Sequence, residues 1–193
     1  MLRNNLRFRL ALAAALTLTL AGCSINVQKE PNGQDKKVDI RTPLGGIHVS
    51  NEATASDIGL PVYPGARLKP NQTDDDNKSA NVSISGFGYS LRVVALQYES
   101  DAAPSKIVAF YDGQLKKFGD VLLCHTSGLD VNADIKGLDK GSHDLTCQGS
   151  AGSNIELKVG TKENQHIVAV EPEGKGSTFS LVYVRTHGKD EEI

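Results

Sequence analysis

Alternating apolar and polar residues predict a small β-hairpin near residue 40. Val38-Asp39-Ile40-Arg41 and Ile47-His48-Val49 both follow a two-residue period, and Thr42-Pro43-Leu44-Gly45-Gly46 between them has the proline and glycines of a turn. A second polar stretch, residues 51–57, separates this hairpin from the rest of the chain. Because an isolated hairpin is marginally stable in water, we expect it to pack against a larger structure.

A longer strand is predicted at residues 89–99, after an alternating run at residues 81–85 and a Gly86-Phe87-Gly88 turn. Since successive side chains of a strand point to opposite sides, its residues divide between two faces. One face is expected to carry Val93, Ala95 and Gln97, and the other Val94, Leu96 and Tyr98.

The clearest helix lies between residues 101 and 119. Its apolar residues recur every three or four positions and form one stripe, which consists of Ile107, Val108, Tyr111, Leu115 and Phe118. Asp101 is the predicted N-cap, Pro104 suits the first turn, and Gly119 is the predicted stop. Such a stripe usually packs on a sheet, and a ligand platform is the less common alternative.

Five further strands are predicted after the helix, at residues 120–124, 144–148, 154–160, 166–171 and 178–186. Residues 126–142 are rich in Gly, Asp and Lys, which predicts an irregular loop. Because strands precede and follow a single helix, the order indicates an α+β fold. We expect an antiparallel β-sheet with one main amphipathic helix on a face, preceded by the small hairpin.

The first 23 residues have the parts of a secretory signal: a basic start, an apolar run at residues 10–20, and the small residues Ala21 and Gly22 before Cys23. The apolar run is shorter than the roughly 20 residues of a membrane-spanning helix. Leu20-Ala21-Gly22-Cys23 resembles the lipobox of bacterial lipoproteins. That resemblance implies removal of residues 1–22, a diacylglyceryl group on the Cys23 thiol and an acyl chain such as palmitate on its amine. An ordinary signal with a chance cysteine is the alternative.

The lipobox resemblance also bears on location and organisation. Ser24 rather than aspartate follows Cys23, which by the sorting rule of enteric bacteria implies the outer membrane, facing the periplasm. Polar residues 23–37 are predicted to be a lipid-anchored flexible tether, residues 38–57 a small hairpin and linker, and residues 58–193 the α+β domain. Residues 1–22 carry three of the 21 basic and none of the 23 acidic residues, so the rest has a net charge of −5. This charge argues against a nucleic-acid partner.

Two cysteines besides Cys23 remain, Cys124 and Cys147, both in strand-like surroundings. Thiols of exported proteins tend to oxidise, so we predict a Cys124–Cys147 disulfide. The alternative is a redox or metal pair, but the spacing is not Cys-x-x-Cys and no histidine lies at a zinc-finger interval.

Tyr63-Pro64-Gly65-Ala66 and Phe110-Tyr111, followed by Leu115 and Gly119, form a second recognisable pattern. It is similar to the YPGA…FYxxxLxxxG pattern of uncharacterised bacterial envelope proteins, and the Thr42–Gly46 segment also resembles them. The similarity covers roughly residues 38–119. It implies an exported protein with a helix on a sheet, and it implies no catalytic residues.

No nucleophile elbow, phosphate-binding loop or zinc-protease motif occurs in the sequence. A calcium site at Asp74 and Asp76 is a weak candidate, because an EF-hand loop starting at Asp74 lacks its glycine and its glutamate. The histidines show no metal-binding spacing, and no cofactor is expected.

The function that the sequence favours is a non-enzymatic binding or structural module of the cell envelope. Its partners are the membrane, through the acyl chains, and an envelope protein. Two alternatives stay open. One is a periplasmic hydrolase whose site is assembled in space, for example from His125 or His143 with Ser or Asp. The other is a carrier of a small ligand or lipid between sheet and helix.

Overall fold

The computed structural model describes residues 22–29, 35–69, 79–127, 144–147 and 152–188. The described residues form one antiparallel sheet of ten strands. The strands are β1 (Ser24–Lys29), β2 (Asp35–Thr42), β3 (Gly45–Ser50), β4 (Arg67–Leu68), β5 (Ser79–Gly86), β6 (Tyr89–Ser100), β7 (Leu122–Thr126), β8 (Asn154–Thr161), β9 (Asn164–Glu173) and β10 (Gly176–His187).

Nine strands lie side by side in the order β1-β2-β3-β5-β6-β10-β9-β8-β7. The short strand β4 pairs with Tyr98 and Glu99 of β6, just beyond the end of β5. The long strands β6 and β10 pair along most of their length at the centre of the sheet. The sheet therefore divides into an N-terminal half, formed by β1, β2, β3, β5 and β6, and a C-terminal half, formed by β7 to β10.

Two helices, α1 (Ala55–Ile58) and α2 (Pro104–Leu115), cover one face of the sheet, which we call the helix face. Ile107, Tyr111 and Leu115 of α2 are fully buried. They pack in one core cluster with Ile58 and Leu60 and with the sheet residues Val94, Leu96, Tyr98, Leu157, Val159, Val168, Val170, Phe179 and Leu181. The apolar stripe on the helix thus packs on a sheet, as predicted, and the predicted division of β6 into two faces is confirmed.

The ends of α2 differ from their prediction. Ala103, with extended backbone angles, is the N-cap. The predicted N-cap Asp101 instead forms an ion pair with Arg67, with 3.6 Å between Asp101 Oδ1 and Arg67 Nη2. Pro104 accounts for the difference, because it suits the first helical position and keeps the preceding residue extended. Phe118 lies beyond the last helical residue and stacks on the His166 ring with 4.1 Å between centroids.

The expectation of a flexible tether is wrong for residues 24–29 and 35–37. Residues 24–29 form β1, which pairs with β2, and β2 begins at Asp35. The reason lies in Ile25 and Val27, which continue the two-residue period of Val38 and Ile40 across the strand pair. The hairpin is likewise part of the main sheet, because β3 pairs with β5 over six residue pairs.

The molecule is mostly β, so the α+β expectation is right only in outline: an antiparallel sheet carries one main helix on a face. Residues 51–57, predicted to be polar linker, contain the start of α1. The Thr54 N–H donates to Asp57 Oδ2 at 2.9 Å, and Gly59 ends the helix with φ 77°. Such a capping pair stabilises a turn of helix that apolar periodicity alone does not predict.

Tyr111 fixes the Tyr63-Pro64-Gly65-Ala66 segment against α2. Its hydroxyl accepts a hydrogen bond from the Tyr63 N–H and donates one to the Pro61 carbonyl, both at 3.1 Å. Burial raises the pKa of this phenol well above its ordinary value, so the hydroxyl stays protonated and can donate. Residues 61–63 are not part of a strand, and the two hydrogen bonds of the Tyr111 hydroxyl hold them in place.

Replacement of Tyr111 by phenylalanine is expected to lower the free energy of unfolding by about 1–3 kcal/mol, because the Tyr63 N–H and the Pro61 carbonyl lose their partner. Urea unfolding followed by circular dichroism measures the loss. Tyr89→Phe is the matched control, since Tyr89 is 62% exposed. Equal stability of the two variants would contradict this role.

Cys124 and Cys147 form the predicted disulfide, with 5.4 Å between their Cα atoms. Cys124 lies in β7, the strand at the C-terminal edge of the sheet. Residues 144–147 are not a strand, so the predicted strand at residues 144–148 is wrong for these four residues, and residue 148 lies outside the described ranges. The disulfide accounts for their position, because it holds them beside an edge strand that otherwise pairs only with β8 among the described strands. Most of the predicted loop at residues 126–142 lies outside the described residues.

Reduction of the disulfide is expected to cost about 3 kcal/mol of stability. The bond joins two residues 23 positions apart, and the closed loop restricts the conformations of the unfolded chain. The Cys124→Ser/Cys147→Ser variant should match the reduced wild type in urea unfolding. Equal midpoints for oxidised and reduced wild type would show that the bond adds nothing.

Candidate binding surface

Side chains of one type line up across the N-terminal half of the sheet, on the face opposite the helix face. Cross-strand pairing produces a valine row, which consists of Val27, Val38, Val49, Val82 and Val93. It also produces an isoleucine row, which consists of Ile25, Ile40, Ile47, Ile84 and Leu91. We call these ten side chains the apolar patch. Cross-strand pairs of β-branched residues stabilise a sheet, which explains how the patch sets the strand register.

None of the ten side chains of the apolar patch is buried. The most exposed are Ile25 at 71%, Ile84 at 41% and Val27 at 40%. The same face is closed at the centre of the sheet, where Ile167, Val182 and Val184 are buried and pack against Leu91, Val93 and Ala95. A contiguous exposed apolar surface of this kind marks a contact site for a protein or a membrane.

The helix face of the N-terminal half is polar. Asn26, Asp39, His48, Ser83, Arg92 and Arg185 are neighbours across successive strands and form what we call the polar row. Arg92 Nη2 lies 3.5 Å from Asp57 Oδ1 of α1. The N-terminal half is therefore apolar on one face and polar on the other.

The closest polar contact within the polar row joins Asp39 and His48. His48 Nδ1 donates to Asp39 Oδ1 at 2.8 Å, with both side chains about one-third exposed. This hydrogen bond is the largest cause that lowers the pKa of Asp39 below its ordinary value, and the positive charges of Arg41 and Lys37 lower it further. Asp39 is therefore ionised at neutral pH and can accept a hydrogen bond from a partner.

Ser83 is the cross-strand neighbour of His48, so the structure brings a serine, a histidine and an aspartate into one row. A hydrolytic triad needs a hydrogen bond between serine and histidine. Ser83 makes none with His48 in the part of the chain that the structure describes. The row lies on an open sheet surface, which does not exclude water from a reacting group.

The other predicted site residues are separate from this row. His125 is exposed on β7 at the far edge of the sheet, and His143 lies outside the described residues. His166 is buried between Phe118 and Tyr183, and burial lowers its pKa. Asp74 and Asp76 also lie outside the described residues, and the described ranges contain no group of metal-binding side chains.

Cys23 is exposed and directly precedes Ser24, the first residue of β1. Strand β1 is the N-terminal edge of the sheet. In the described ranges, no helix is both long and apolar enough to cross a membrane. No family model matches the chain, and comparisons with curated proteins and with solved structures also found no match.

The alternation of β2 and β3 is visible in the sequence, whereas the apolar patch as a surface is not. The missing signal was Ser24-Ile25-Asn26-Val27-Gln28, which alternates with the same period. This segment is short and has polar flanks, so its alternation alone does not predict a strand. The pairing of β1, β2, β3 and β5 shows that these four alternating segments share one register.

Because none of its ten side chains is buried, small side-chain changes in the apolar patch are expected to cost little stability. Threonine keeps the β-branched shape of valine, so Val27→Thr/Val49→Thr should change the free energy of unfolding by less than about 1 kcal/mol. The matched core change Val94→Thr, at a fully buried position, should cost about 1–3 kcal/mol because its hydroxyl is desolvated. Urea unfolding of the purified chains measures both. A double variant as unstable as Val94→Thr would show that the patch is a core.

Proposed function

We propose that the protein is a lipid-anchored, non-enzymatic module of the bacterial envelope that binds a partner near the membrane surface. The observation that carries the proposal is the position of Cys23. This exposed cysteine follows Leu20-Ala21-Gly22 and directly precedes an edge strand of the sheet. A cysteine at this point is accessible to the enzymes that attach acyl chains and cleave the signal.

Attachment at Cys23 would bring the folded sheet close to the lipid surface. Ser24 already pairs with Arg41, so the chain offers no spacer between the attachment point and the sheet. A single acyl chain holds a protein only marginally, whereas two or more hold it stably. The proposed lipid group, with a diacylglyceryl unit and a further chain on the amine, therefore makes a stable anchor without a spanning helix.

A binding role fits the N-terminal half of the sheet better than catalysis does. The polar row offers a carboxylate, an imidazole and guanidinium groups on one surface, which suits hydrogen bonding to another envelope protein. Neither alternative role has a specific observation in its favour. Ser83 and His48 lack the bond that a hydrolase requires, and side chains of α2 and the sheet fill the space that a carrier would keep open.

The anchor is tested by expressing the full chain in bacteria supplied with labelled palmitate. We expect the wild type to take up the label and to sediment with membranes. Cys23→Ser should take up no label and should keep its signal, because the thiol that forms the thioether is gone. Cys124→Ser/Cys147→Ser is the matched control and should still be labelled.

A labelled Cys23→Ser variant, or an unlabelled wild type that stays in the soluble fraction, would overturn the proposed anchor. Separation of the two membranes on a density gradient adds a test of location. The residue after Cys23 is Ser24, so we expect the label in the outer-membrane fraction.

A further inference from the structure

Large apolar side chains are exposed at one end of the N-terminal half of the sheet. Leu44, in the turn between β2 and β3, is 64% exposed. Phe87, in the turn between β5 and β6, is 72% exposed, and Tyr89 at the start of β6 is 62% exposed. We call these three residues the apolar end. Exposed apolar side chains that cluster in this way mark a contact site for a protein or a membrane.

The apolar end lies at the same end of the sheet as Cys23. Ser24 pairs with Arg41, which comes three residues before Leu44. Gly22 lies against the same turn, since a Cβ at residue 22 would be 2.6 Å from Pro43 Cγ. The two turns also touch, because the Phe87 N–H donates to the Leu44 carbonyl at 3.3 Å. The position that would carry acyl chains and the exposed apolar side chains therefore share one end.

Phe87 occupies its place at a conformational cost. Its φ is 54°, and no other non-glycine residue in the described ranges has a positive φ. With Gly88 at φ 85°, the pair forms a two-residue hairpin turn of a kind that favours asparagine first. A bulky residue in this left-handed conformation is uncommon, so phenylalanine at position 87 does not stabilise the turn. The turn instead exposes the aromatic ring of Phe87 to the surroundings.

The apolar end continues into the apolar patch. Tyr89 and Leu91 are two residues apart on β6, so their side chains lie on the same face. Cys23 directly precedes β1, whose Ile25 and Val27 belong to the apolar patch. One surface thus runs from the apolar end along the isoleucine and valine rows, and the polar row lies on the reverse of the sheet.

We propose that the lipid bilayer covers this surface, with Leu44 and Phe87 inserted among the lipids beside the acyl chains of Cys23. This inference rests on the proposed lipid anchor. The anchor keeps the apolar end at the bilayer, which raises its effective concentration there without any further contact. Aromatic residues at a membrane boundary are favoured because their rings suit the headgroup level. The polar row then faces the aqueous side, where an envelope protein can reach it.

The absence of tryptophan makes the test direct, because one introduced tryptophan is the only such fluorophore. The acylated full chain carrying Phe87→Trp is reconstituted into phosphatidylcholine vesicles with or without bromine on the lipid acyl chains. We expect tryptophan emission to shift to the blue on reconstitution and to lose most of its intensity with brominated lipid. Phe118→Trp, on the helix side of the sheet, is the matched control and should show neither change.

Tyr89→Trp repeats the measurement at a position outside the strained turn and should also be quenched. Flotation of the vesicles separates the possible failures. Protein that floats with the vesicles while the tryptophans of the Phe87→Trp and Tyr89→Trp variants stay unquenched would overturn the bilayer contact and leave the anchor intact. Crosslinked dimers in that case would indicate a second copy on the patch. Protein that does not float would overturn the anchor and this inference together.

Discussion

The cross-strand register of β1, β2, β3, β5 and β6 is the constraint on which the rest of the structure depends. It aligns valine with valine and isoleucine with isoleucine across the N-terminal half of the sheet. Because side chains alternate between faces, a slip of one residue in one strand would move its apolar residues to the polar face. The separation into an apolar patch and a polar row exists only in this register. Glycine at position 45 permits this register, because β3 and β5 approach so closely there that a Cβ on Gly45 would overlap the Ser85 carbonyl.

With the proposed anchor at Cys23, the direct continuity of this residue with β1 would orient the two-faced sheet. A flexible tether would let an anchored domain turn freely, whereas an edge strand that starts at Ser24 would restrict which parts of the sheet could reach the lipid. Attachment of the proposed acyl chains next to the apolar end brings the most exposed apolar residues toward the bilayer. The C-terminal half differs in kind, because α2, the core beneath it and the Cys124–Cys147 disulfide make it a packed body.

The sequence predicted the elements that have strong local signals. Pro104 and the apolar spacing from Ile107 to Leu115 predicted α2, and the period of residues 93–98 predicted both faces of β6. It failed where tertiary contacts decide the outcome. Residues 24–29 are polar enough to resemble a tether and become a strand only because β2 supplies partners for Ile25 and Val27. The candidate surface was invisible for the same reason, since its ten side chains come from five strands whose register no single segment reveals.

Alternating exposure to lipid and water along β5 of the membrane-attached protein tests the central claim most directly. With Cys23 acylated and Cys124 bonded to Cys147, an introduced cysteine is the only free thiol and can carry a nitroxide label. We expect labels at Val82 and Ile84 to be more accessible to oxygen, which concentrates in lipid. Labels at Ser83 and Ser85 should be more accessible to a water-soluble nickel complex. Equal accessibility at all four positions, or the opposite alternation, would contradict the account.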